Sequence, residues 1–316
     1  MDNKNKFYTK TIVVWGGALI CCFLWGSAFP FIKLGYTAFE INSGEMATQI
    51  LFAGIRFLLA GIMAVAIGSI GSRHFLLPKR KSVVKVVKLS FLQTVAQYVC
   101  FYIGLAHTTG VRASIVEGTN VFVAIVVASL LFKQEKLTSK KIIGCIVGFL
   151  GVVFVNLTGS AGGSGQFIMG DLLIFLSTVA YAFSSVLLKE YSKDEAPVVL
   201  SGYQFIVGGA LMIILGLAFG GRIVCVTVNG LIILFYLAFV SAVAYSLWGI
   251  LMKYNPISRV AVFGFMNPVF GVILSAMLLD EGAGLGLMHI VSLALVCAGI
   301  YIVNSMDKKE KGVSDS

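Results

Sequence analysis

Ten stretches of apolar sequence, from Ile12–Leu34 at one end to Leu285–Asn304 at the other, are each close to the length that crosses a bilayer. A hydrocarbon core of about 30 Å needs about 20 such residues per helix, so these windows constrain the chain more than any other feature. Backbone amides in lipid must bond within their own segment, which leaves α-helices or closed barrels. Windows of this length give helices. The composition agrees: the 316 residues are 58% hydrophobic and only 12% charged. An ordinary soluble domain carries about a quarter charged residues. The predicted fold is therefore an all-α polytopic membrane protein with ten transmembrane helices.

The formal net charge of +10 would suggest nucleic acid in a soluble chain, but here it follows topology. If the N-terminus lies inside, all but four of the 24 Lys and Arg residues fall in inward-facing segments, the others being Lys33, Arg56, Arg112 and Arg222. Cytoplasmic loops carry that excess, so both termini are predicted to be cytoplasmic. No nucleic-acid partner is expected. The six cysteines and three histidines have no metal-site or disulfide spacing, so neither a metal nor another cofactor is expected. The first window follows Lys4, Lys6 and Lys10 but is too long for a signal peptide and is retained as a span.

The two halves repeat each other. Trp25–Lys33 aligns with Tyr181–Lys189, and Ala53–Gly68 with Ser201–Gly216, where Gly54, Phe57, Gly61 and Gly68 meet Gly202, Phe205, Gly209 and Gly216. Tyr98, Arg112 and Asn120 align with Tyr245, Arg259 and Asn267 at a constant offset of 147, and Gly151–Asn156 aligns with Gly299–Asn304. The predicted organisation is a tail (1–10), a first five-helix repeat (11–157), an external Gly/Ser-rich linker (158–168), a second repeat (169–304) and a tail (305–316). Five spans is an odd number, so the second copy enters from the opposite face. Two inverted repeats suit a binding site near the midplane that opens to one side at a time.

These features resemble the EamA-type members of the drug/metabolite transporter superfamily. The resemblance rests on Trp25-Gly26-Ser27 with Pro30, Arg56-Phe57, Asn267-Pro268, Glu135, Glu281 and Gly151-Val152-Val153, and runs from Thr11 to Asn304. Val121 in place of a second proline and Gln204 opposite Arg56 are departures between the copies. The resemblance implies a secondary transporter that exports amino acids or related metabolites across a bacterial cytoplasmic membrane, and a cavity lined by the first, third, fourth, sixth, eighth and ninth spans. Nucleotide-sugar or sugar-phosphate exchange is the runner-up within the superfamily. A membrane-embedded enzyme or a structural membrane protein would be the alternatives of another class; no ATP-binding loop is present, and Glu117 is the single deep carboxylate.

Candidate substrate-binding residues are Trp25, Gln97, Tyr98, Asn120, Tyr181, Tyr245 and Asn267. Gln97, Tyr98 and Phe101 share one helix face, as do Tyr245 and Trp248. Tyr98 and Tyr245 read equally as cavity lining or packing, and Trp248 reads as an interfacial belt residue. The two asparagines either bond helices together or serve a polar solute. Glu117 and Arg56 form a candidate coupling or charge pair, with proton coupling or amine binding open for Glu117 and a clamp on backbone carbonyls open for Arg56. The expected partners are a small-molecule substrate and the lipid bilayer, with the chain a monomer or weak homodimer.

Overall fold

A computed structural model describes residues 6–42, 44–106, 116–157, 167–278 and 287–305. Arg112, Glu281 and most of the Gly/Ser-rich linker lie outside the described residues. Among those described, the chain is helical and has no strand. Helix α1 (Thr11–Ala38) and α2 (Met46–Ser72) are long and regular. Helix α3 runs through Val83–Leu89, a π-helical stretch Ser90–Ala96 and Gln97–Ala106. Helix α4 (Val116–Leu131) ends in a second π-helical stretch, Val127–Leu131. Then follow α5 (Ser139–Leu157), α6 (Phe167–Tyr191), α7 (Pro197–Ala218) and α8 (Val228–Tyr254). Helix α9 is Ile257–Ala261, a 3-10 stretch Val262–Phe265 and Met266–Leu278, and α10 is Leu287–Asn304.

Six of these, α1, α2, α3, α6, α7 and α8, are long and apolar enough to cross a membrane; α4, α9 and α10 contain shorter apolar helices. Their outward faces carry exposed Ile62, Phe91, Ile214 and Phe235, the side chains that lipid rather than water would cover.

Local chemistry sets several ends. Pro197 opens α7, where its missing N–H costs nothing, and the Thr227 hydroxyl accepts from the Gly230 amide at 3.0 Å to cap α8. The start of α9 is capped from a distance: Glu135, in the α4–α5 connection, accepts from the Ser258 amide at 3.1 Å and its hydroxyl at 2.7 Å, while Lys141 donates to the same carboxylate at 3.3 Å. A carboxylate at a helix N-terminus meets unpaired amides and the positive end of the dipole. Glu135→Ala is expected to lower stability by about 1–3 kcal/mol, read as an earlier thermal unfolding of the solubilised protein, because buried donors on Ser258 lose their acceptor.

Glycines decide how the helices meet. Helices α2 and α7 cross antiparallel, Gly54 against Gly209 and Gly61 against Gly202, so closely that a Cβ on Gly61 would lie 2.5 Å from the Gly202 carbonyl oxygen. Small residues allow this approach, which gains dispersion contacts where lipid supplies no hydrophobic drive. Helices α5 and α10 repeat the device: Gly144 faces Gly299, and Gly151 faces Ser292, whose hydroxyl donates to the Gly151 carbonyl at 2.5 Å. Helix α1 packs on α8 and α9, and α6 packs on α3 and α4. Exchanging the two halves maps each of these contacts onto another member of the same set.

Candidate functional site

Two repeat-matched pairs meet at the centre of the bundle. The Phe57 and Phe205 rings stack on one another at 5.2 Å with 22° between planes. The Tyr98 and Tyr245 hydroxyls are hydrogen-bonded to each other at 2.8 Å. Each tyrosine lies on the phenylalanine of its own half: Tyr98 is 4.4 Å from Phe57, and Tyr245 is 4.9 Å from Phe205. The quartet thus brings residues aligned between the two halves into direct contact. Tyr98→Phe or Tyr245→Phe leaves one buried hydroxyl without its partner and is expected to cost about 1 kcal/mol or slightly more. The double variant is expected to cost no more than either single one, a non-additivity that a thermal double-mutant cycle detects.

Trp25 of α1 packs edge-on against Tyr245 at 5.2 Å and against Trp248 at 5.0 Å. Trp248 is 4% exposed and buried in this cluster, which corrects the belt reading: a residue near a helix end by sequence is turned into the bundle here. Tyr181 of α6 packs on the same apolar cluster as Tyr98 and Trp25. The indole N–H groups of Trp25 and Trp248 are buried and, among the described residues, have no acceptor.

The polar candidates are arranged around this centre. Gln97 directly follows the π-helical stretch of α3, and its buried Oε1 has no donor among the described residues. One extra residue in a helical turn re-aims the side chains that follow it, a device common at functional sites. Asn120 of α4 faces α9, with its Oδ1 3.6 Å from where a Cβ on Gly264 would be. Asn267 of α9 has a buried Oδ1 without a donor among the described residues.

Arg56 is 3% exposed and is used inside the protein. Its Nε donates to the Leu237 carbonyl at 3.3 Å, an Nη donates to the Ser241 hydroxyl at 3.0 Å, and the guanidinium lies 5.2 Å from the Phe57 ring centre. Among the described residues Arg56 bonds to one backbone carbonyl and one hydroxyl and forms no ion pair. Gln204, aligned with Arg56, also bonds to a neighbouring helix: its Nε2 donates to Gln93 Oε1 of α3 at 2.5 Å. Glu117 is half-buried and, among the described residues, forms no ion pair.

Sequence reasoning missed three contributors here. Phe57 and Phe205 stood only as markers of the repeat, and Trp248 was assigned to a belt. The signal for the first two was present, since Phe57 and Phe205 stand at aligned positions of the two halves.

The model of the EamA-like transporter family matches the sequence twice, over residues 13–157 and 168–305. The chain belongs to that family. Uncharacterized transporter YetK of Bacillus subtilis (strain 168) is 25% identical over 263 residues, which span 82% of this EamA-family chain and 79% of that protein. An uncharacterized transporter of Archaeoglobus fulgidus is 28% identical over 296 residues, 88% and 94% of the two chains. A probable amino-acid metabolite efflux pump of Escherichia coli (strain K12) is 25% identical over 303 residues, 90% and 92% of the two. A crystal structure of a protein 17% identical in sequence superposes with a TM-score of 0.75, covering 91% of this chain and 98% of that one, and so shares its fold. This EamA-family chain is a multi-pass membrane transporter, with a small-molecule substrate.

Proposed function

We propose that this EamA-family protein is a secondary transporter that exports amino acids or related small metabolites across the cell membrane by alternating access. In this reading it has ten spans in two inverted five-helix repeats (11–157 and 169–304), with both termini in the cytoplasm. The observation that carries the proposal is the reciprocity of contacts about the aromatic quartet. Matched residues touch across the junction of the halves, and the matched helices α2 and α7 cross antiparallel. Two such halves can exchange conformations at little net cost, because each arrangement of one half is the mirror role of the other. The proposed substrate site lies at that junction, with Trp25, Gln97, Tyr98, Asn120, Tyr181, Tyr245 and Asn267 around it and Glu117 beside it.

Amino acids are favoured over sugar phosphates on the chemistry of the site. Phosphate recognition favours exposed guanidinium or ammonium groups. Among the described residues the buried guanidinium groups are already occupied: Arg56 by Leu237, Ser241 and the Phe57 face, and Arg259 by Asn255 and Thr11. The name printed for the Escherichia coli relative, a probable amino-acid metabolite efflux pump, supports the same choice. Counterflow in proteoliposomes tests the proposal: a trans load of unlabelled amino acids is expected to draw in labelled ones without ATP. Absence of exchange for every amino acid and related metabolite tried would sink it. A pH gradient imposed in the same assay tests proton coupling.

A further inference from the structure

The stretch that joins α2 to α3 and opens α3 concentrates positive charge: six of the sixteen residues 73–88 are Lys or Arg, and no Asp or Glu occurs between Glu45 and Glu117. Two of the six are used within the protein. Lys85 is ion-paired with Asp194, and Lys79 donates to the Asp194 carbonyl. Arg73, Arg80, Lys81 and Lys88 are exposed and, among the described residues, form no ion pair. The start of α3 has two faces. Val86 and Leu89 are buried against Leu188 of α6 and Leu200 of α7. On the opposite side, at helical spacing, stand Val84, Val87 and Phe91, which are 61%, 49% and 61% exposed, with Lys88 among them. A 3-10 turn, Arg80–Ser82, leads into the helix and sets two more cations just ahead of this strip.

We infer that this end of α3 binds an anionic phospholipid, with its headgroup phosphate held by Arg80, Lys81 and Lys88 and an acyl chain laid along Val84, Val87 and Phe91. On the topology proposed above, the lipid belongs to the cytoplasmic leaflet.

Depth and chemistry agree on this occupant. The apolar helix from Arg80 to Gly104 has 25 residues, about 37 Å at 1.5 Å each, against about 30 Å of hydrocarbon. Its first turns therefore reach the headgroup layer, and the exposed apolar strip enters the acyl chains below. The flexible stem of Lys88 lets its ammonium return toward the headgroups. Basic residues beside a membrane surface attract anionic lipid in proportion to their number, and phosphate oxygens accept strong hydrogen bonds from guanidinium and ammonium groups. A soluble phosphate would satisfy the cations but leave the strip uncovered. A zwitterionic lipid would cover the strip but bring no net negative charge to the cations. A second copy of the chain meeting this face symmetrically would set the same unpaired cations against one another.

Native mass spectrometry of the full chain, released from detergent after incubation with equal amounts of phosphatidylglycerol and phosphatidylcholine of the same acyl chains, reads the bound lipid directly. The first lipid bound is expected to be phosphatidylglycerol, preferred about tenfold or more. Arg80→Gln, Lys81→Gln and Lys88→Gln are each expected to weaken its binding about fivefold, and the triple variant to lose most of the preference. The single variants serve if the triple one does not fold. Removing three other exposed cations, with Lys133→Gln, Lys136→Gln and Lys140→Gln together, is expected to leave the preference in place, which separates this patch from the general charge of the protein. Excess inorganic phosphate is expected not to displace the lipid. Equal binding of the two lipids, an equal loss in the control variant, or displacement by phosphate would each overturn the inference. So would dimers that disappear in the triple variant without any lipid preference, since they would assign the patch to a second copy.

Discussion

Gly61→Leu is expected to prevent the bundle from assembling, the largest structural effect of any single change considered. A Cβ at this position would lie 2.5 Å from the Gly202 carbonyl oxygen and 2.6 Å from the Ile206 amide nitrogen, both backbone atoms of α7. No rotamer change relieves a collision with backbone, so α2 and α7 must separate along their whole crossing and lose the contacts at Gly54, Gly209 and Gly216 as well. Overpacking costs about 1–3 kcal/mol where side chains can shift, and a bulky residue against two helices' backbones lies above that range. Gly61→Ala is expected to be partly tolerated, with a clear fall in the apparent Tm. Gly71, on the same helix with nothing within 4 Å of its would-be Cβ, is the control: Gly71→Ala is expected to leave stability unchanged within about 1 kcal/mol. Fluorescence-detected size exclusion after a temperature series distinguishes the three. Wild-type melting of Gly61→Leu would contradict the packing described.

Trp25→Ala is expected to reduce transport about a hundredfold while the protein still assembles. The indole is a wall of the proposed site and supports two others, touching Tyr245 at 5.2 Å and Trp248 at 5.0 Å. Truncating a buried aromatic costs about 3–5 kcal/mol where the space cannot collapse. Trp25 is only half-buried and α1 is held independently by α8 and α9, so part of that loss falls on the substrate rather than on the fold. A factor of about 100 corresponds to about 2.7 kcal/mol of lost binding or transition-state stabilisation. Trp25→Phe keeps an aromatic face and is expected to retain about a tenth of the activity or more, since each edge-to-face pair contributes only about 0.5–1.5 kcal/mol beyond area. Initial rates of counterflow, normalised to reconstituted protein, measure both. Equal rates for Trp25→Ala and wild type would remove Trp25 from the site.

Much of the centre was legible because the repeat is written in residue types that also do the packing. Phe57 with Phe205 and Tyr98 with Tyr245 could be aligned by offset alone, and each pair is in contact. The glycines at 54, 61, 202 and 209 likewise recur at a spacing that puts them on one helix face, and that face is the crossing. The rest depends on geometry over long sequence separations. Ser241 is 185 residues from Arg56, and nothing local marks it as the acceptor of the guanidinium. Glu135 reaches an α9 terminus 123 residues away, a cap that a scan for local capping residues does not find. Trp248 was misassigned because an apolar helix of tryptophan, leucine and alanine has no polar face to reveal which side turns inward. The π-helical stretch of α3 has no proline or glycine to announce it, yet it sets the direction of Gln97 and Tyr98.

The central claim is that matched parts of the two halves face opposite sides of the membrane. The α1–α2 connection at Asn42 and the α6–α7 connection at Lys193 are equivalent under the repeat, and both side chains are exposed. With the native cysteines replaced, Asn42→Cys and Lys193→Cys can each be probed by a membrane-impermeant maleimide. In intact cells the reagent is expected to label Asn42→Cys, and to reach Lys193→Cys only after the membrane is permeabilised. Labelling of both positions from the same side would contradict the inverted architecture and, with it, the alternating-access site at its centre.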